Sequence, residues 1–138
     1  MATPPTTFIV AVAALIFREG KVLAMRRAPW KDAGAGAWET LSGRVHVGEQ
    51  PLDAVRRETR EECGLEVRLD PRPLGATQAK RGEHPMIVIY YRADYLAGEV
   101  IRSAEHDDHA WMSPADFARL TPFAPLAEMV WRAAEGSD

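Results

Sequence analysis

Apolar positions in the first part of the chain come as a run. Phe8 to Phe17, FIVAVAALIF, contains no charged or polar residue, the pattern of a strand covered on both faces. At ten residues it is too short to span a bilayer. Glu19-Gly20 supplies a turn, and Lys21 to Arg27 returns as a second strand of a hairpin. Ala37 to Leu41 reads as a short strand anchored by Trp38. At Pro51 the pattern changes: a helix to about Cys63 is predicted, with Pro51 at its first position and Gly64 just past its end.

The second half returns to strands. Leu65 to Leu69 alternates and is broken by Pro71 and Pro73; Leu74 to Ala79 forms another short strand. Lys80 to Pro85 reads as a polar loop. Met86 to Tyr95 is rich in β-branched and aromatic residues, and Ala97-Gly98 turns it toward a strand at Glu99 to Ile101. Ala110 to Met112 is a further short strand. Ser113 caps a helix starting at Pro114, with Asp116 in capping position. A last helix from about Pro125 to Ala134 is expected to pack Leu126, Met129, Val130 and Trp131. Strands on both sides of the central helix, with helices at the end, imply an α/β fold with a mixed sheet between helices.

The central helix carries the candidate chemistry. Glu58, Glu61 and Glu62 fall within an arc of about 100° at 3.6 residues per turn. Val55, Thr59, Leu52 and Cys63 mark the packing flank, and Asp53, Arg56 and Arg60 point to water. Taken alone, such Arg and Glu runs describe a solvated face. Three like charges on adjoining turns repel one another, and a hard divalent cation would reverse that sign, since Mg²⁺ takes oxygen ligands from carboxylates, water and phosphates.

Spacing separates these readings. Gly43, Glu49, Arg57, Glu58, Glu61, Glu62, Gly64 and Leu65 match G-x5-E-x7-R-E-U-x-E-E-x-G-U, where U is bulky and apolar, and the segment resembles the Nudix hydrolase signature. A chance match at a given start is on the order of one in 10⁸ at background residue frequencies. Thr59 stands where the family usually has Leu, Ile or Val, and His46 occupies a loop position that is commonly acidic.

The resemblance implies a Nudix-type α/β/α sandwich with a mixed sheet, formed by a single domain over residues 1–138. It implies Mg²⁺, with Mn²⁺ able to substitute, and hydrolysis of a pyrophosphate bond in a nucleoside diphosphate linked to another moiety. A MutT-like nucleoside triphosphate pyrophosphatase is the first expectation. The alternatives are an ADP-ribose or nucleotide-sugar pyrophosphatase, a dinucleoside polyphosphate hydrolase, or a non-catalytic nucleotide-binding scaffold. Glu58, Glu61 and Glu62, with a backbone carbonyl near Gly43, would form the metal shell. Glu58 or Glu61 would take the water's proton, and Arg57 and Glu49 would act as an orienting pair.

Composition limits partners. The 138 residues suit one core, and a net charge of −3 gives no general attraction to nucleic acid or membrane. The expected partner is a small nucleotide-type substrate; a homodimer is compatible with the sequence. Cys63 is the only cysteine, excluding an internal disulfide and fitting the cytoplasm. Residues 1–7 carry no Lys or Arg, unlike a signal n-region.

Four further residues are substrate candidates. Arg26 and Arg27 leave their strand on opposite faces, so at most one meets the site, and Arg27 is taken as that one. Trp30, in the Pro29–Gly36 loop, is either a cap on the core or a ring that stacks on a base. Trp38 is a core anchor or a base platform. The cluster from Glu105 to His109 holds two His and two Asp besides Glu105; the readings are solvated loop charges, a zinc site, or Glu105 completing the metal shell, with Glu83 the next candidate.

Overall fold

The computed structural model describes residues 3–30 and 34–136; the expected loop at Pro29–Gly36 partly falls on residues 31–33, outside those described. The elements are β1 (Ile9–Arg18), β2 (Lys21–Arg27), β3 (Trp38–Glu39), β4 (Leu41–Arg44), α1 (Pro51–Cys63), β5 (Glu66–Leu69), β6 (Gly75–Arg81), β7 (His84–Ala97), β8 (His106–Met112), α2 (Pro114–Leu120) and α3 (Ala124–Glu135).

The unbroken apolar run becomes the middle of a mixed sheet. β1 pairs in parallel with β7 from Ile9 opposite Met86 to Phe17 opposite Asp94, and antiparallel with β4 and the start of β2. Alternation along β1 divides the core in two. Val12, Ala14 and Ile16 pack with Ala54, Val55 and Cys63 of α1. Ala11, Ala13, Leu15 and Phe17 face the other way, toward Phe117 of α2 and Leu126, Met129 and Val130 of α3. Helices therefore cover both faces, as an α/β/α sandwich requires.

The central helix keeps its expected bounds. Pro51 starts it, and Gly64 ends it in the left-handed region at φ 70°. The Ser113 hydroxyl accepts from the Asp116 N–H at the start of α2.

Several expectations are corrected. Ala37–Leu41 is two strands, because the chain passes at Thr40 from pairing with β2 to pairing with β1. Lys80–Pro85 is no long loop: Lys80 and Arg81 pair with Pro85 and His84, leaving a tight turn at Gly82-Glu83. Glu99–Ile101 forms no strand; there the Ile101 N–H donates to the Cys63 carbonyl. The cluster at 105–109 lies mostly within β8, paired with β2. Trp131 is 44% exposed, since it lies about 140° around α3 from Leu126.

Candidate active site

α1 and the loop before it meet at Arg57. Its Nε and Nη2 donate to the two oxygens of Glu49 at 2.9 and 3.1 Å. Nη2 also donates to the Arg44 carbonyl at 2.9 Å, and Nη1 to Glu58 Oε1 at 2.7 Å and Glu61 Oε2 at 3.3 Å. One planar guanidinium thus ties the loop to the helix and orients two of the three carboxylates. The expected Glu49–Arg57 pair is present. Hydrogen bonds from Arg57, then from the His46 N–H, hold the Glu49 carboxyl down at about 2.

Gly43 is needed for what it lacks. Its position has no positive φ, but a Cβ there would overlap the Glu58 carboxyl group. Glu58 therefore packs against the bare backbone of β4. Burial pushes its carboxyl above the usual carboxylate range; Arg57 opposes that shift, and the neighbouring charges of Glu62 and Glu61 add to it.

Glu62 is held differently. Its Oε2 accepts from Ser103 Oγ at 3.0 Å and lies 3.5 Å from His106 Nδ1. Burial alone would raise the Glu62 carboxyl, but the side chains of His106, Glu105 and Ser103 beside it bring it below its ordinary value. The His106 side chain is 2% exposed. Burial would depress its pKa, whereas Glu39 on one side and Glu62 on the other push it up to about 9. Glu39 Oε2 lies 2.9 Å from His106 Nε2 and accepts from Arg27 Nη1 at 3.2 Å.

Glu58, Glu62 and Gly43 open on a common cavity of about 520 Å³. Ala11, Ala13, Met86, Val88 and Leu126 give it an apolar floor and wall; Lys80, Arg81 and Arg44 supply cations. Arg27 and Glu105 also line it, whereas Arg26 is turned away to Asp107. Anions and an apolar ring could both be accommodated, the combination expected of a nucleotide pocket.

Other candidates fall elsewhere. Glu61 is exposed and outside the cavity wall. Trp38 packs against the core and lies under the Arg26 guanidinium, not in the cavity. Trp30 is 67% exposed and donates from its ring N–H to the Ala104 carbonyl. Glu83 sits in the β6–β7 turn and is not a wall residue. Conversely, Glu39, Thr77, Tyr90 and the buried role of His106 were not anticipated. A carboxylate flanked by Trp38 and Thr40 in a short strand was the available signal for Glu39.

The NUDIX domain family profile matches residues 7–131, and the chain belongs to the Nudix family. It is a hydrolase acting on phosphorus-containing anhydrides. Among relatives, the CTP pyrophosphohydrolase of Escherichia coli (strain K12) is 32% identical over 136 residues, spanning 94% of this chain and 98% of that protein. The octanoyltransferase of Myxococcus xanthus is 34% identical over 153 residues, but the chain spans only 37% of that protein's length. The crystal structure of MutT protein from Methanosarcina mazei Go1 superposes with a TM-score of 0.83 at 25% identity, covering 96% of this chain and 97% of that one.

Nudix proteins generally use a divalent metal ion. Among the described residues, no three His, Cys, Asp or Glu side chains already stand as a metal cage. The donor chemistry nevertheless fits such an ion. Glu58 and Glu62 offer hard oxygens to one cavity, and Glu58 lies in the cradle that a Cβ on residue 43 would fill. Glu61 would have to turn from Arg57 to join them.

Proposed function

We propose that the chain is a Mg²⁺-dependent pyrophosphohydrolase of nucleoside triphosphates, releasing a nucleoside monophosphate and pyrophosphate. One observation carries this reading: carboxylates of the signature helix and the glycine of its loop open on the same cavity as an apolar floor and a cationic rim. The relative covered over 98% of its length is named a CTP pyrophosphohydrolase, which favours a triphosphate.

Glu58, Glu62 and the Gly43 carbonyl, with Glu61 after side-chain rotation, would hold the ion. When bound, it supplies charge neutralisation at phosphoryl oxygen and a more acidic water. The chain's own contributions are positional. Lys80, Arg81 and Arg44 attract the phosphates, while the apolar floor receives the base and excludes water. Arg57 and Glu49 fix Glu58 against β4. Glu58, which faces the cavity and is oriented by Arg57, takes the attacking water's proton. The water's oxygen bonds to phosphorus, the bridging P–O bond breaks, and the leaving phosphate group carries away the electron pair.

A panel of nucleoside triphosphates, ADP-ribose, nucleotide sugars and dinucleoside polyphosphates, assayed with and without Mg²⁺, tests the reading. Metal-dependent release of pyrophosphate with a nucleoside monophosphate is expected. Turnover restricted to another class would replace the substrate, and equal turnover in chelator would remove the metal.

A further inference from the structure

His106 lies outside the signature and is not a wall residue of the cavity, yet its imidazole joins two residues that are. Nε2 is 2.9 Å from Glu39 Oε2, and Nδ1 is 3.5 Å from Glu62 Oε2. The same Glu39 oxygen accepts from Arg27 Nη1 at 3.2 Å. A row of polar groups thus runs Arg27, Glu39, His106, Glu62, hydrogen-bonded as far as the imidazole and closing on Glu62 at 3.5 Å. Its two ends open on the cavity from different elements, β2 and α1.

The backbone builds this arrangement. β8 pairs with β2, and the register shifts between Arg26 and Arg27, bringing Arg27 opposite His106. Such an irregularity re-aims a side chain; here one arginine goes to Asp107 and the next to the cavity wall.

We propose that His106 is a positioning residue coupling the two ends, so that an anionic group engaged by Arg27 strengthens the hold of Glu62 on a divalent cation. Glu39 Oε2 is shared between Arg27 and His106. A phosphate drawn to Arg27 competes with Glu39 for the guanidinium, and Glu39 then relies more on the imidazole. Held more firmly by Glu39, the imidazole stays off Glu62, whose Oε2 is then left to the cation. The bond lengths suit this direction, because the Glu39 contact is already the shorter and Nδ1 makes no contact of hydrogen-bond geometry. Glu62 keeps its orientation meanwhile through Ser103 Oγ. Linkage makes the effect reciprocal: the cation must tighten the anion by the same factor. The inference rests on the proposed pyrophosphohydrolase reading and adds to it a communication between substrate and metal.

Calorimetric titration of Mn²⁺ into the wild-type chain and into His106→Gln and Glu39→Gln, each with and without cytidine 5′-monophosphate, tests it. A purely structural role would shift Mn²⁺ affinity equally in both conditions. The expected result is a tightening by the nucleotide of about fivefold or more in wild type, within the usual range of coupling, that falls to less than half that factor in both variants. An unchanged factor in both variants overturns the coupling while leaving the metal site standing. Failure of the wild type to bind Mn²⁺ overturns both the coupling and the functional reading. Should the variants not fold, ¹⁵N shifts of the His106 ring in wild type decide: movement with the nucleotide alone and with Mg²⁺ alone is expected, and a ring insensitive to either ligand overturns the coupling.

Discussion

The carboxyl group of Glu58 occupies the space that a side chain on Gly43 would need. The helix and the loop of the signature are therefore one fitted object, and a methyl group at position 43 would push the carboxylate off β4. Gly43→Ala is expected to lower kcat/KM by about 10² or more, the cost typical of a misplacement near 1 Å. Steady-state kinetics beside a melting curve check this, a folded variant of normal activity being the contrary result.

Arg57 makes contacts to Glu49, Glu58, Glu61 and the Arg44 carbonyl at once. Lysine keeps the charge but not the fork. Arg57→Lys should reduce kcat/KM by about 10-fold to 100-fold, the range for partners that orient metal ligands. Mn²⁺ titration should weaken in parallel, and unchanged affinity with unchanged kinetics would remove Arg57 from this role.

Glu49 has a folded-state pKa of about 2, below its ordinary 4.5. A depressed carboxylate stabilises the fold fully above its unfolded pKa, and that contribution is lost as pH falls from about 4.5 toward 2. Glu49→Gln should flatten the acid limb of melting temperature against pH in that window. Parallel acid limbs for the two proteins would show that the pair does not contribute.

Gly64 closes α1 at φ 70°, where a Cβ has room but the backbone does not favour one. Gly64→Ala should destabilise by about 1–2 kcal/mol in denaturant unfolding with little change in KM. A neutral substitution would mean that the helix end relaxes.

What could be read in advance follows from how local each signal is. Pro51, Gly64 and the apolar flank around Val55 set the helix by themselves, and the bare run from Phe8 to Phe17 identifies a strand buried on both sides. Edge strands were harder. Lys80 and Arg81 end β6, and Asp107 and Asp108 sit within β8; among the described residues each of these strands pairs with one neighbour, and at such an edge charges are tolerated and even useful. In sequence those residues look like loops. The carboxylate face was legible from spacing, but the division of labour within it was not. Glu58 and Glu62 open on the cavity and Glu61 does not, because β4 and β8 decide which side of α1 is enclosed. Glu39 and His106 meet across 67 positions, so their contact exists only in the fold.

In the proposed mechanism the acidic face of α1 serves a divalent cation for phosphoanhydride hydrolysis. The most direct test of that role is Mg²⁺-dependent nucleoside triphosphate hydrolysis by Glu62→Gln, a change that preserves shape and removes one charged donor. The expected variant melts as a folded protein with kcat reduced by about 10³ or more, the scale of losing a major electrostatic contribution. Wild-type turnover in that folded variant would contradict that role.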